Sequence, residues 1–581
     1  MISRLLTAFL CLVLAASSGT AQESRPAPEA ASGTKPKSLV IAQRQMVVAA
    51  EPLAAEAGLE ILRQGGSAAD AAIATELVLG LVEPQSSGLG GGAFLVYWDA
   101  QSRSLATFDG RETAPAAAKP DRFIRDGKPM VFETAVRSGL SVGVPGLMRT
   151  LEAVHKRYGK LPWATLFAPA IKLAEDGFPI SPRLAVLLNE SKAENFSAGA
   201  RAYFFDENDR PRTAGEIRTN STYAETLRAI AEKGADAFYS GPIADAIVKA
   251  VGKASNIPGD MTAADLSGYA AKERDPVCVN YRARKVCGMG PPSSGGISVG
   301  TILKLIEPFP QVQGAAALMS APALHIIAEA EKLAFADRNR YIADPDHVSI
   351  PSGLMDDAYL AERRKLINPE KAMDKAEPGL PPGLAKKTFG KDFTNEVPGT
   401  TQISIVDADG NALSMTATIE SAFGSHLWAA GFLLNNQLTD FSFIPVDETG
   451  ALVANAVAGG KRPRSSMAPT IVLDSQGTPE IVTGSPGGSQ IILYVVKTLV
   501  GMLDWGLNAQ QAAALPNFGS QGGPFIIEYS PYYVWPAFDL TSYGHVIGNT
   551  TMTSGIHTIV RKGGHLEGGA DPRREGVAVG D

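Results

Sequence analysis

The sequence predicts an α+β protein in which helices cover sheets, and three stretches carry that reading. Residues 52–81, PLAAEAGLEILRQGGSAADAAIATELVLGL, place apolar side chains at helical spacing, with the Gly65-Gly66 pair splitting them into two helices. Strand-like segments follow at 92–98 and 104–109. After residue 400 the texture turns strongly β: TTQISIVDADGNALSMTATI reads as two strands joined by Asp407-Ala408-Asp409-Gly410, a hairpin signal.

Taken in order, the chain opens with Arg4, an apolar run from Leu5 to Ala16 and small residues up to Ala21. That is the layout of a cleavable secretory signal over 1–21, too short to serve as an uncleaved anchor. Cys11 lies inside the run without the small residues that precede a lipidated cysteine. Residues 22–38, rich in Pro, Ala, Ser and Lys, are expected to be a disordered leader, with the ordered body starting near Ser38. Further helices are expected at 146–158, 163–176, 222–234, 242–252 and 321–341. In PVCVNYRARKVCGMG, residues 276–290, two short strands flank a turn at Arg282-Ala283. Cys278 and Cys287 then face each other, either as a disulfide or as two buried thiols. Residues 376–399, loaded with Pro, Gly and charge, read as a mobile surface segment, and a boundary falls at residue 400. Beyond it lie a second strand region, TIVLDSQGTPEIVTG, and a helix near 487–503.

With 581 residues, 45% hydrophobic, 19% charged and a net charge of −7, the composition is that of a globular protein with a large core. No basic face is evident, so nucleic acid and anionic membranes are poor partners and a small molecule fits better. The histidines at positions 155, 325, 347, 426, 545, 557 and 565 show neither H-E-x-x-H nor a close pairing with acids, and the two cysteines lack histidine neighbours, so no metal is expected. No cofactor is expected either. GLGGGA at 88–93 precedes its strand and reads as a tight turn rather than a dinucleotide loop.

Gly399-Thr400 looks locally like a turn before a β-branched strand residue. The surrounding set changes its meaning: VEPQSSGLGGGAF (82–94), FDGRETAP (108–115), GVPG (143–146), PPSSGG (291–296), ADRNRYIADP (336–345), TTQIS (400–404), LLNNQLTDFS (433–442), KRPRSSMAPT (461–470), TGSPGGSQ (483–490) and GADPR (569–573). In order and spacing these resemble the γ-glutamyltransferase family, including its cephalosporin-acylase-like members, over almost the whole mature chain. The resemblance implies a four-layer αββα sandwich of the N-terminal nucleophile type. It also implies one precursor that cuts itself between Gly399 and Thr400 into a large subunit (39–399) and a small one (400–581).

Such a cut would free an α-amine near pKa 8 on Thr400, letting one residue serve as nucleophile and base. If the hairpin centres between Ala408 and Asp409, Thr400 pairs with Ala417, one residue from Thr418, the family's second threonine. By resemblance Gly487 and Gly488 donate to the oxyanion. Arg111, Ser465 and Ser466 hold the donor's α-carboxylate, Glu420, Gln437 and Asp440 receive its ammonium, and the GLGGGA turn shapes the donor pocket. This acidic set favours γ-glutamyl donors such as glutathione over glutaryl or cephalosporin substrates, with an amino acid, peptide or water as acceptor. An inactive, uncut binding protein is the reading from another class. Two departures stand out. Gln402 replaces the histidine common two places after the nucleophile, which bears on the acceptor side. The segment 441–464 lacks Tyr and Trp, so a more open pocket is expected, with hydrolysis competing against transfer.

Overall fold

The structure, a computed structural model, describes residues 35–384, 389–392, 394, 399–528, 534–550 and 552–581. The expected signal, the leader up to residue 34 and parts of the 376–399 segment lie outside the described residues. The end of the leader departs from its expected disorder. Lys35 donates its backbone N–H to the Pro572 carbonyl at 2.9 Å, and Lys37 Nζ donates to the Arg574 carbonyl at 2.7 Å, beside the carboxylates of Asp571 and Glu575.

Fourteen strands form the two large sheets: β1 (Val40–Ala42), β2 (Met46–Ala49), β3 (Gly92–Asp99), β4 (Ser104–Gly110), β5 (Lys272–Arg274), β6 (Val277–Tyr281), β7 (Arg284–Gly288), β8 (Thr400–Val406), β9 (Ala412–Thr418), β10 (Thr470–Leu473), β11 (Pro479–Gly484), β12 (His557–Lys562), β13 (His565–Ala570) and β14 (Val577–Gly580). One sheet runs β14-β2-β8-β9-β3-β4-β5 and the other β1-β13-β12-β11-β10-β7-β6, antiparallel throughout. Between them lies an apolar layer that includes Met46, Val48, Val96 and Trp98 from the first sheet and Ile471, Val482, Ile559 and Leu566 from the second.

Helices α1 (Pro52–Arg63), α2 (Ala68–Val82) and α3 (Leu147–Tyr158) pack on the outer face of the first sheet through Val47, Leu95, Ile403, Ile405 and Met415. Helices α4 (Gly295–Ile306), α5 (Ala321–Tyr341) and α6 (Ile491–Leu503) cover the second sheet through Val286, Val472 and Ile481. The result is the expected four-layer αββα sandwich. α2 begins with a capping box between Ser67 and Asp70, and all of its residues are buried. Cys278 and Cys287 are paired across β6 and β7 and joined by a disulfide, and the turn between them holds Arg282 and Ala283 at positive φ.

Residue 400 does not separate two domains. β8 and β9 sit between β2 and β3, so each sheet draws strands from both sides of the boundary. The hairpin register also differs from the expected one: Thr400 stands opposite Thr418 itself. The Asp407 carboxylate accepts from the backbone N–H groups of Asp409 at 3.0 Å and Asn411 at 2.9 Å, drawing Asn411 into the turn. One extra turn residue moves the centre of pairing to Asp409 and brings the two threonines together.

Candidate active site

Alternation along β8 decides what each of its residues meets. Ile403 and Ile405 enter the helix-facing core. Ser404, on the opposite face, reaches the second sheet by donating to the His557 carbonyl at 2.9 Å. Gln402 shares that face: its Oε1 accepts from Thr416 Oγ1 at 2.6 Å, and its Nε2 donates to Ser414 Oγ at 3.0 Å. Gln402 is thus buried between the sheets and lines no part of the pocket, so its replacement of histidine bears on inter-sheet packing instead of the acceptor side.

Thr400, at the open end of β8, is buried, as is Thr418. The Thr418 hydroxyl donates to the Gly399 carbonyl at 2.6 Å and accepts from the Glu420 backbone N–H at 2.8 Å. Thr400 Oγ1 lies 3.5 Å from it, placed to donate. One hydroxyl therefore touches both the candidate nucleophile and the carbonyl that precedes it. Gly399 is required by space: a Cβ there would stand 1.7 Å from the Glu420 carbonyl oxygen. The GLGGGA turn lies behind Thr418, where Gly91 abuts the Thr418 carbonyl, and does not line the pocket as expected.

A narrow pocket gathers Thr400, Thr418, Arg111, Glu420, Gln437, Asp440, Ser465, Ser466 and Gly488, with Met467 and Ile491 as its apolar wall. Gly487 sits one residue behind Gly488, and both have positive φ, 141° and 55°, at the junction between β11 and α6. Arg111 is clamped by the Pro463 and Arg464 carbonyls and pairs with Asp440 at 2.5 Å. Gln437 Nε2 donates to the same Asp440 carboxylate at 2.7 Å. Glu420 is bonded to Asn436 and Ser421.

Several supporting residues escaped the sequence reading. Arg338, on α5, donates to Ser466 Oγ at 2.6 Å and to Ser294 Oγ at 2.8 Å. Its position three residues after Phe335, on the buried stripe of a helix, was the available signal. Arg574, next to the GADPR motif, donates to the Thr400 carbonyl at 3.2 Å. Glu112 follows Arg111 into the interior, where burial pushes its carboxyl up to about 8 against the pull of Arg111.

A family model described as gamma-glutamyltranspeptidase matches residues 54–581. The glutathione hydrolase proenzyme of Bacillus subtilis (strain 168) is 34% identical over 590 residues, covering 99% of this chain and 98% of the relative. That of Escherichia coli (strain K12) is 36% identical over 577 residues, covering 97% of each. Among solved structures, cephalosporin acylase from Bacillus halodurans matches with a TM-score of 0.82 and 29% identity, over 96% of this chain and 98% of that one. Helicobacter pylori γ-glutamyltranspeptidase matches with a TM-score of 0.54 and 34% identity, over 60% and 97%. Matched along nearly its whole length, the chain belongs to the gamma-glutamyltranspeptidase family and is an enzyme of that kind.

Proposed function

We propose that this enzyme cuts its own chain between Gly399 and Thr400 and then uses Thr400 to cleave γ-glutamyl amides of the glutathione type, passing the acyl group to water, an amino acid or a peptide. The observation that carries the proposal is the Thr418 hydroxyl shared between Thr400 Oγ1 and the Gly399 carbonyl. In the precursor, Thr400 Oγ1 adds to that carbonyl carbon while Thr418 donates to the developing oxyanion. The C–N bond then breaks and the nitrogen takes up a proton, leaving an ester that water splits into a Gly399 carboxylate and a free Thr400 amine. That amine accepts the hydroxyl proton when Thr400 attacks a donor amide, with the Gly487 and Gly488 N–H groups meeting the oxyanion. The large and small subunits stay together because they share both sheets.

The Arg111–Asp440 pair supports the donor class. An α-amino acid head group brings one carboxylate for Arg111, Ser465 and Ser466 and one ammonium for Asp440, Gln437 and Glu420, so each buried charge keeps an opposite partner. A glutaryl group would engage Arg111 but bring no ammonium to the Asp440 carboxylate, so it forgoes half of the charge pairing that an α-amino acid head group makes. No residue between 441 and 464 lines the pocket, which supports access for water and hence hydrolysis alongside transfer. Export by the N-terminal signal, to the periplasm in a bacterium, belongs to the same proposal. Among the described residues no helix is long and apolar enough to cross a membrane.

Intact mass and N-terminal sequencing of purified protein should give two chains, the smaller beginning Thr-Thr-Gln-Ile-Ser. Release from paired γ-glutamyl and glutaryl anilides should favour the γ-glutamyl compound. An uncut chain would sink the self-cleavage, and a preference for the glutaryl compound would replace the donor assignment with an acylase.

A further inference from the structure

One polar cluster lies apart from the pocket. His325, Glu329 and His545 are buried together between α5 and the segment after Ser542, with ligand-type atoms all within 4.8 Å of one another. His325 stands 13 residues before Arg338 on α5, a rise of about 20 Å from the end of the helix that supports Ser466. No acid pairing with a histidine was expected from the sequence; the contact arises because His325 and Glu329 are one helical turn apart and His545 is folded onto them.

The hydrogen bonds fix how the two rings present themselves. His325 Nε2 faces the Asn368 carbonyl at 2.7 Å, so it carries the proton and leaves the lone pair on Nδ1. Nδ1 in turn lies 2.8 Å from His545 Nε2, which donates to it. A ring anchored through one N–H to a backbone carbonyl, with its other nitrogen turned into a buried cluster, has the outer support typical of metal-binding histidines. The Glu329 carboxylate is held by the Met373 backbone N–H at 2.7 Å and by Lys332 Nζ at 2.8 Å.

We propose that His325 Nδ1, His545 Nε2 and Glu329 form a structural site for a borderline divalent cation of the zinc type, with the Lys332 ammonium as its internal competitor. The two ring nitrogens stand 2.8 Å apart, so they would part by about 0.5 Å to share one tetrahedral ion at about 2.0–2.2 Å, with a fourth position left to water. Two imidazoles select zinc, cobalt or nickel over magnesium or calcium. On binding, the His545 proton moves from Nε2 to Nδ1, so the ring releases no net proton. The ion would pin the chain around Tyr543, whose ring stacks on His325 at 4.6 Å, to helix α5.

Full-length enzyme freed of metal by chelator and dialysis would be titrated with zinc chloride by calorimetry and with cobalt chloride by visible absorption. One zinc per chain is expected, with a rise in Tm and a tetrahedral cobalt spectrum. His545→Gln and Glu329→Gln should each weaken binding at least about tenfold. Lys332→Met should tighten it, a change that a general loss of structure would not produce. The far-ultraviolet circular dichroism of each variant checks that it is folded. No zinc uptake by the parent, or unchanged affinity in folded His545→Gln and Glu329→Gln, would overturn the site.

Discussion

Replacing Gly399 by alanine tests whether maturation depends on the shared Thr418 hydroxyl. The new Cβ would lie 1.7 Å from the Glu420 carbonyl oxygen and 2.7 Å from the Ser421 carbonyl carbon, where ordinary contact begins at 3.4 Å. These are backbone atoms, so no rotamer change relieves the clash, and the chain before β8 must move by more than 1 Å, roughly the missing separation. A hydrogen bond of 2.6 Å from Thr418 to the Gly399 carbonyl does not survive such a shift. Misplacement on this scale costs about a hundredfold in rate, or about 2.7 kcal/mol of barrier. The assay follows precursor and products on denaturing gels from the moment of purification, with circular dichroism to confirm folding. Gly399→Ala should persist as a folded precursor, with a maturation half-life lengthened by about two orders of magnitude. A variant that matures at the parent rate would refute the argument, because the carbonyl would then need no fixed place against Thr418.

Thr400→Ala should remain uncut and show no release of γ-glutamyl anilide; retention of either activity would remove Thr400 from the mechanism. Arg338→Lys loses the planar fork that holds Ser466 and Ser294 together, so KM for the donor should rise about tenfold with a smaller change in kcat. Replacing both Cys278 and Cys287 by serine opens a cross-link spanning nine positions at a sheet edge, and should cost about 2.5 kcal/mol in denaturant unfolding while leaving maturation unchanged. The buried His557 ring has its pKa lowered from 6.5 to about 3, chiefly by desolvation. Its contribution to stability is present above 6.5 and lost as pH falls toward 3, so His557→Asn should gain on the parent by up to about 1.4 kcal/mol per pH unit in that window. A parent–variant difference in Tm that stays constant from pH 7 to 5 would contradict this.

Local patterns in the sequence were sufficient where neighbours along the chain decide the outcome. The helix at 321–341, the split at Gly65-Gly66 and the hairpin turning at Arg282-Ala283 all rest on contacts within a few residues, and each stands where periodicity and turn chemistry put it. The family resemblance also named nine of the residues that line the pocket. The register of the nucleophile hairpin was not legible, because it turned on one carboxylate, that of Asp407, recruiting Asn411 into the turn. A slip of one residue reverses every side chain's face, which is why the placement of Thr418 had to come from the fold. Gln402 was misread for a related reason: its neighbours Ser414 and Thr416 come from the paired strand. The Arg338–Ser466 and Arg574–Thr400 contacts span 128 and 174 residues of sequence, and the His325–His545 contact spans 220. Sequence determined which chemical groups this protein owns and the elements that carry them. Tertiary structure alone decided which groups meet, because burial forces distant polar side chains to find partners that no local pattern records.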